Sequence, residues 1–98
     1  MSERLKRARG SGNVFRDLGF GKGAADNLKL RSELMMRLEE YYRSSGLTQA
    51  EASARLGLTQ PRLNALLKGR IDLFSLDALV NLAGRAGLEV RLVVKKAA

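Results

Sequence analysis

Between Leu47 and Gly69 the chain reads LTQAEASARLGLTQPRLNALLKG, and this order of caps, glycine and leucines leaves few foldings open. It predicts two short helices joined by a tight turn. Thr48 opens the first, and Glu51 three residues on lets hydroxyl and carboxylate each satisfy an otherwise unpaired backbone N–H. Ala52 and Leu56 give this helix a narrow apolar side. Gly57 follows it, where a positive φ suits glycine. Leu58 plugs the turn and Thr59 caps the second helix, with Pro61 in the first turn, where a missing N–H matters little. Leu63, Leu66 and Leu67 recur at helical spacing, and Gly69 closes the element. A link this short makes the two helices cross steeply instead of lying side by side.

The pattern resembles the DNA-binding helix-turn-helix of the lambdoid phage repressor or Xre family, whose usual form is close to L-T-Q-x-E-x-A-x-x-L-G-(hydrophobic)-(S/T)-Q. Leu47, Thr48, Gln49, Glu51, Leu56, Gly57, Thr59 and Gln60 fit it. The departure is Ser53, where the family usually has alanine at the close helix crossing; serine is small enough, but its hydroxyl needs a partner. The resemblance covers about a quarter of the chain. The fold class it implies is mainly α, a lambda-repressor-like helix-turn-helix bundle.

Charge supports a polyanionic partner. The 98 residues, enough for one domain, carry a formal charge of +8. Residues 1–25 hold six basic and two acidic groups and residues 47–70 hold four against one, whereas residues 26–46 are balanced. The excess thus sits on the N-terminal arm and on the helix-turn-helix, which fits double-stranded DNA. With no cysteine and no histidine, disulfides, thiolate sites and histidine-based nucleophilic catalysis are excluded and structural zinc is disfavoured. No cofactor and no catalytic or metal-binding residue is expected. No apolar run approaches the roughly 20 residues that cross a bilayer, and no signal-peptide core follows the basic start. A cytoplasmic protein with no membrane partner is expected.

Four segments follow. Residues 1–12, with Arg4, Lys6, Arg7 and Arg9 but one large apolar residue, read as a flexible basic arm. It either touches phosphates or a groove, as basic arms do, or is a solvated tail. Residues 13–25 are a glycine-broken apolar segment, in which Val14, Phe15, Leu18 and Phe20 need a surface, supplied by the domain's own helices or by another protein. Residues 26–87 form the helix-turn-helix domain. Its longest helix is expected over Asp26–Ser45, with Asp26 as N-cap and Leu30, Leu34, Leu38 and Tyr41 on its apolar stripe, widened by Met35 and Tyr42. Ile71 to Phe74 reads as a loop. Ser75 caps a further helix with Leu76, Leu79, Val80 and Ala83 on one face, ended by Gly87. Residues 88–98 are a dimerisation strand and tail: Leu88, Val90, Leu92 and Val94 alternate with Glu89, Arg91 and Val93, a strand periodicity. An open strand edge needs cover. Antiparallel pairing with a second copy about a two-fold axis supplies it most simply; pairing with Val14–Phe15 or with a foreign protein are the alternatives.

If the second helix enters the major groove, its first turn and a half faces base edges. Gln60 leads, because its amide can bond adenine N6 and N7 together. Arg62 can reach guanine or a phosphate, Asn64 is a third reader, and Pro61 or Ala65 can meet a thymine methyl. By resemblance to the phage repressors, Gln49 bonds a backbone phosphate and braces Gln60. Thr48 and Thr59 can serve as caps and also present their hydroxyls or the first N–H groups of their helices to phosphates. Lys68 and Arg70 are expected phosphate contacts.

The layout as a whole also resembles HigA-type antitoxins of the Xre class. A segment similar to S-G-N-V-F-x-D-L-G-F precedes the first helix, here Ser11 to Phe20, and a tail similar to S-L-x-x-L-x-x-L-x-x-x-x-G-x-x-V follows, here Ser75 to Val90. That resemblance implies a protein that represses its own operon as a homodimer and neutralises a RelE/HigB-like mRNA-cleaving toxin, with Val14, Phe15, Leu18 and Phe20 as candidate partner-binding residues. The alternatives are a protein that is primarily a toxin-neutralising interaction module, and a stand-alone phage-type repressor without a toxin.

Overall fold

The computed structural model describes residues 20–96. Four α-helices and one short 3₁₀ turn make up its regular structure: α1 (Phe20–Ser45), α2 (Gln49–Leu56), α3 (Gln60–Leu67), the 3₁₀ turn Ile71–Leu73, and α4 (Leu76–Arg85). The helices pack α1 chiefly against α4, α2 against α3, and α3 and the 3₁₀ turn back onto α1.

Helix α1 starts six residues earlier than the expected Asp26. Gly21 and Gly23 each cost about 1 kcal/mol relative to alanine, but both keep their N–H and so leave the ladder intact, and Ala24 and Ala25 are strong helix formers. Asp26 therefore lies inside the helix, 3.5 Å from Lys22 one turn back, with both side chains exposed. The apolar stripe is real over its C-terminal half. Leu38 and Met35 are buried, Leu34, Tyr41 and Tyr42 are half-buried, and Leu30 is exposed. Val14, Phe15 and Leu18 lie outside the described residues, as do the basic arm's Arg4, Lys6, Arg7 and Arg9. Of Phe20 only its place at the start of α1 is described.

The capping chemistry forms as the sequence specifies. Thr48 Oγ1 accepts from the Glu51 N–H at 3.1 Å, and Glu51 Oε1 accepts from the Thr48 N–H at 2.9 Å. Gly57 has φ +71°, and the chain leaves α2 through a Leu58 N–H bond to the Ser53 carbonyl at 2.9 Å. A side chain at Gly57 would be strained by the left-handed backbone; its Cβ would lie 3.0 Å from the guanidinium of Arg85, the movable end of an exposed side chain. Thr59 Oγ1 accepts from the Arg62 N–H at 3.3 Å, and Ser75 Oγ from the Ala78 N–H at 3.1 Å.

The core gathers side chains from all four α-helices and from Phe74 just past the 3₁₀ turn. Leu38, Leu56, Leu63, Leu66, Phe74 and Leu79 are its largest fully buried members, each stabilising the fold by about 1.5–3 kcal/mol through burial. Two differ from sequence expectation. Phe74, in what reads as a loop, follows the 3₁₀ turn and is 1% exposed. On α4, Leu82 is buried with Leu79 and Ala83, while Val80 is exposed. An i, i+3, i+4 stripe can be drawn through either set, and only the direction of α1 selects the one that faces inward.

The C-terminal β-strand expected at Leu88–Val94 is not present. Among the described residues there is no strand, and residues 88–96 have neither helix nor ladder. Leu88 is pinned by its N–H to the Ala83 carbonyl at 2.9 Å, which closes α4. Beyond it, Leu92, Val93 and Val94 are the most exposed large apolar groups described. Alternation sets which side chains share a face. A ladder also needs the N–H and C=O groups of a second strand, and the described fold offers none.

Ser53 shows the consequence of its departure from alanine. It is 6% exposed on α2, and among the described residues its Oγ has no hydrogen-bond partner. A buried hydroxyl without a partner costs about 1–3 kcal/mol. Ser53→Ala is thus expected to stabilise the domain by about 1 kcal/mol, raising the melting temperature by about 4–8 °C. A lower melting temperature by circular dichroism would mean that the hydroxyl is satisfied in solution.

Candidate DNA interface

Helix α3 has two sides with different work. Leu63 and Leu66 are buried and hold it on the core, with Ala65 and Leu67 half-buried beside them. Gln60, Pro61, Asn64 and Lys68 are exposed. Gln60, Asn64 and Lys68 recur every four residues, so they form one stripe along the outer surface of the helix and its C-terminal end. Two amides, each able to donate and accept at once, are followed by a cation. Leu63 and Leu66 fix the helix's rotation, and so this polar stripe points to solvent.

The other predicted contacts group around two helix starts. Thr48 and Gln49 are exposed at the start of α2, and Thr59 and Gln60 at the start of α3. Each threonine hydroxyl already accepts from an N–H of its own first turn, so the residues act first as caps. Arg70 is exposed and 3.5 Å from Asp72, itself exposed. Such a pair is worth little in water and yields readily to a phosphate. Lys68 makes no ion pair among the described residues.

Arg62 is placed differently from its stripe neighbours. Its guanidinium lies 4.3 Å from the centroid of the Phe74 ring, and Nη1 donates to the Leu73 carbonyl at 3.0 Å. Arg31 of α1 in turn donates to the Ile71 carbonyl at 3.0 Å and to the Phe74 carbonyl at 3.4 Å, while its Nε donates to Asn27 Oδ1 at 2.7 Å. Two arginines therefore grip the 71–74 link. Sequence reading misses the grip, because nothing near Arg31 marks a contact 40 residues away.

Among the described residues no group of acidic side chains could hold a metal ion, and no helix is long and apolar enough to cross a membrane.

Two crossing short helices, a glycine turn between them and an exposed polar stripe on the second define a helix-turn-helix DNA-binding module. Comparison with known proteins agrees. The profile of a family described as "Helix-turn-helix domain" matches residues 14–95. A solved chain named as an XRE family transcriptional regulator is similar at 30% identity and a TM-score of 0.69, over 76% of this chain and 83% of that one. A search of curated proteins finds no match. The chain belongs to the Xre family of helix-turn-helix transcriptional regulators, a non-enzymatic family that acts by binding DNA.

Proposed function

We propose that the protein is a sequence-specific repressor working in the cytoplasm as a homodimer, one α3 per major-groove half-site, and that the operon it controls is its own, encoding a toxin and this antitoxin. The observation that carries the DNA-reading part is the Gln60–Asn64–Lys68 stripe, held outward by the buried Leu63 and Leu66. In this reading Gln60 and Asn64 meet base edges and Pro61 and Ala65 a thymine methyl. Thr48, Gln49, Thr59, Lys68 and Arg70 meet the backbone.

The test separates readers from anchors. Gln60→Ala is expected to lose about 1–3 kcal/mol of discrimination at one base pair, leaving other positions unchanged. Lys68→Ala is expected to weaken all sequences alike and lower the salt slope by about one per protomer. Both are read by titrating point-substituted duplexes. Equal, sequence-independent losses from the two variants remove Gln60 as a reader.

The homodimer is supported by an apolar groove of about 900 Å³ between α1, α4 and the C-terminal segment, with Leu30, Leu34, Val80, Leu88, Val90 and Leu92 along it. No residue of α2 or α3 lines it, so a second copy seated there leaves the reading helix free. Its charged lining mixes signs, Glu33, Glu40 and Glu89 with Arg37 and Arg91, which lets the surface meet its own copy about a two-fold axis. In this arrangement Leu88, Val90, Leu92 and Val94 contribute side chains to the dimer, not a shared sheet. Sedimentation of the purified chain as a monomer at micromolar concentration would overturn it. The toxin rests on the resemblance to HigA-type antitoxins. A RelE-like toxin gene beside this one, with a product that co-purifies, supports it; an isolated gene leaves the phage-type repressor.

A further inference from the structure

We propose that Arg62 is a positioning residue. It sets the pitch of the recognition helix by clamping α3 to the 71–74 link, and it touches neither base nor phosphate. The proposal rests on α3 being the base-reading helix.

Three observations carry it. The Arg62 backbone sits in the first turn of α3, where its N–H is taken by the Thr59 cap. Its side chain leaves the helix toward the link, lying over the Phe74 ring at 4.3 Å while donating to the Leu73 carbonyl at 3.0 Å. The link cannot follow Arg62 freely, because Arg31 also holds the Ile71 and Phe74 carbonyls to α1. α3 is only eight residues long, and only Lys68, Gly69 and Arg70 separate it from this link. Its N-terminal turn is thus tied to the body at a point beyond its own C-terminus. Leu63 and Leu66, with Ala65 and Leu67 beside them, seat α3 on the core, and the Leu58 turn joins its start to α2. The Arg62 tie adds the contact that fixes the tilt of its N-terminal end against the 71–74 link. Gln60 lies at that end.

A base reader, a phosphate anchor and a positioning residue leave different signatures. The probe is a duplex enriched by the wild-type chain from a randomised pool, beside an unrelated duplex of equal length. Arg62→Met keeps the cover over Phe74 but removes the charge and the bond to Leu73. It is expected to bind the enriched duplex about tenfold more weakly. Binding to the unrelated duplex and the slope of log K against log salt are expected to stay unchanged. The loss should be shared across the half-site, with the preferred base at each position retained. In a Phe74→Leu background, which removes the ring, the same change should cost less than about threefold, since the two residues act as one unit. The slope and base-preference measurements need only Arg62→Met and stand even if Phe74→Leu does not fold.

A slope lowered by about one per protomer makes Arg62 a phosphate contact. A loss confined to one base pair makes it a reader. A lower melting temperature with unaltered binding to both duplexes makes it purely structural. Each of these overturns the proposal. If the wild-type chain enriches no sequence from the pool, the recognition-helix reading fails first, and the two failures are thereby told apart.

Discussion

Phe74→Ala is expected to destabilise the domain by about 3–5 kcal/mol, against a total stability of roughly 5–15 kcal/mol for a natural domain. Phe74 is 1% exposed and is the largest of the fully buried side chains. Truncation forfeits its apolar transfer and leaves a cavity, and the cost depends on how far the surroundings collapse. Here collapse is hindered. The carbonyls of Ile71, Leu73 and Phe74 are held by Arg31 and Arg62, so the link that would have to sink into the hole is tied by both. The lost ring also strands the Arg62 guanidinium that lies over it. Urea unfolding followed by circular dichroism measures the effect. A loss below about 1 kcal/mol would show that the site relaxes freely and that the two arginines do not constrain it.

A fourfold rise in salt is expected to have the largest effect on DNA binding. Each phosphate neutralised by a lysine or arginine contributes about −0.9 to the slope of log K against log salt. Lys68 and Arg70 of two protomers supply four such contacts in the proposed complex, a slope near −4. Between about 50 and 200 mM salt this alone weakens binding on the order of a hundredfold. The arm residues Arg4, Lys6, Arg7 and Arg9 add to it if they follow the backbone, and six to ten contacts bring the loss to about 10³–10⁵. Titrations of the full chain and of a chain starting at residue 13 read the two contributions separately. A slope near zero would remove the electrostatic basis for a polyanion partner. Equal slopes for the two chains would assign the whole dependence to the helix-turn-helix.

What was legible in the sequence is what local chemistry fixes. The Thr48–Glu51 box, the Gly57 turn, the Thr59 and Ser75 caps and the leucines of α3 each depend on neighbours within four residues. Those neighbours are written in order along the chain. The helix-turn-helix, and with it the outward stripe at Gln60, Asn64 and Lys68, followed from them. That the Ser53 hydroxyl needs a partner was also legible; that it has none among the described residues was not.

Tertiary structure decided what depends on residues far apart. Glycines at 21 and 23 read as breaks but are carried inside α1, since a glycine weakens a helix without ending it. Alternation over Leu88–Val94 names a face and supplies no second strand, so no ladder forms there. The choice of Leu82 over Val80, and the burial of Phe74, wait on where α1 lies. Above all, Arg62 looks in sequence like any exposed arginine at the start of a reading helix. Only the folded chain brings the Phe74 ring and the Leu73 carbonyl under it, because long flexible side chains take their partners from space and not from spacing.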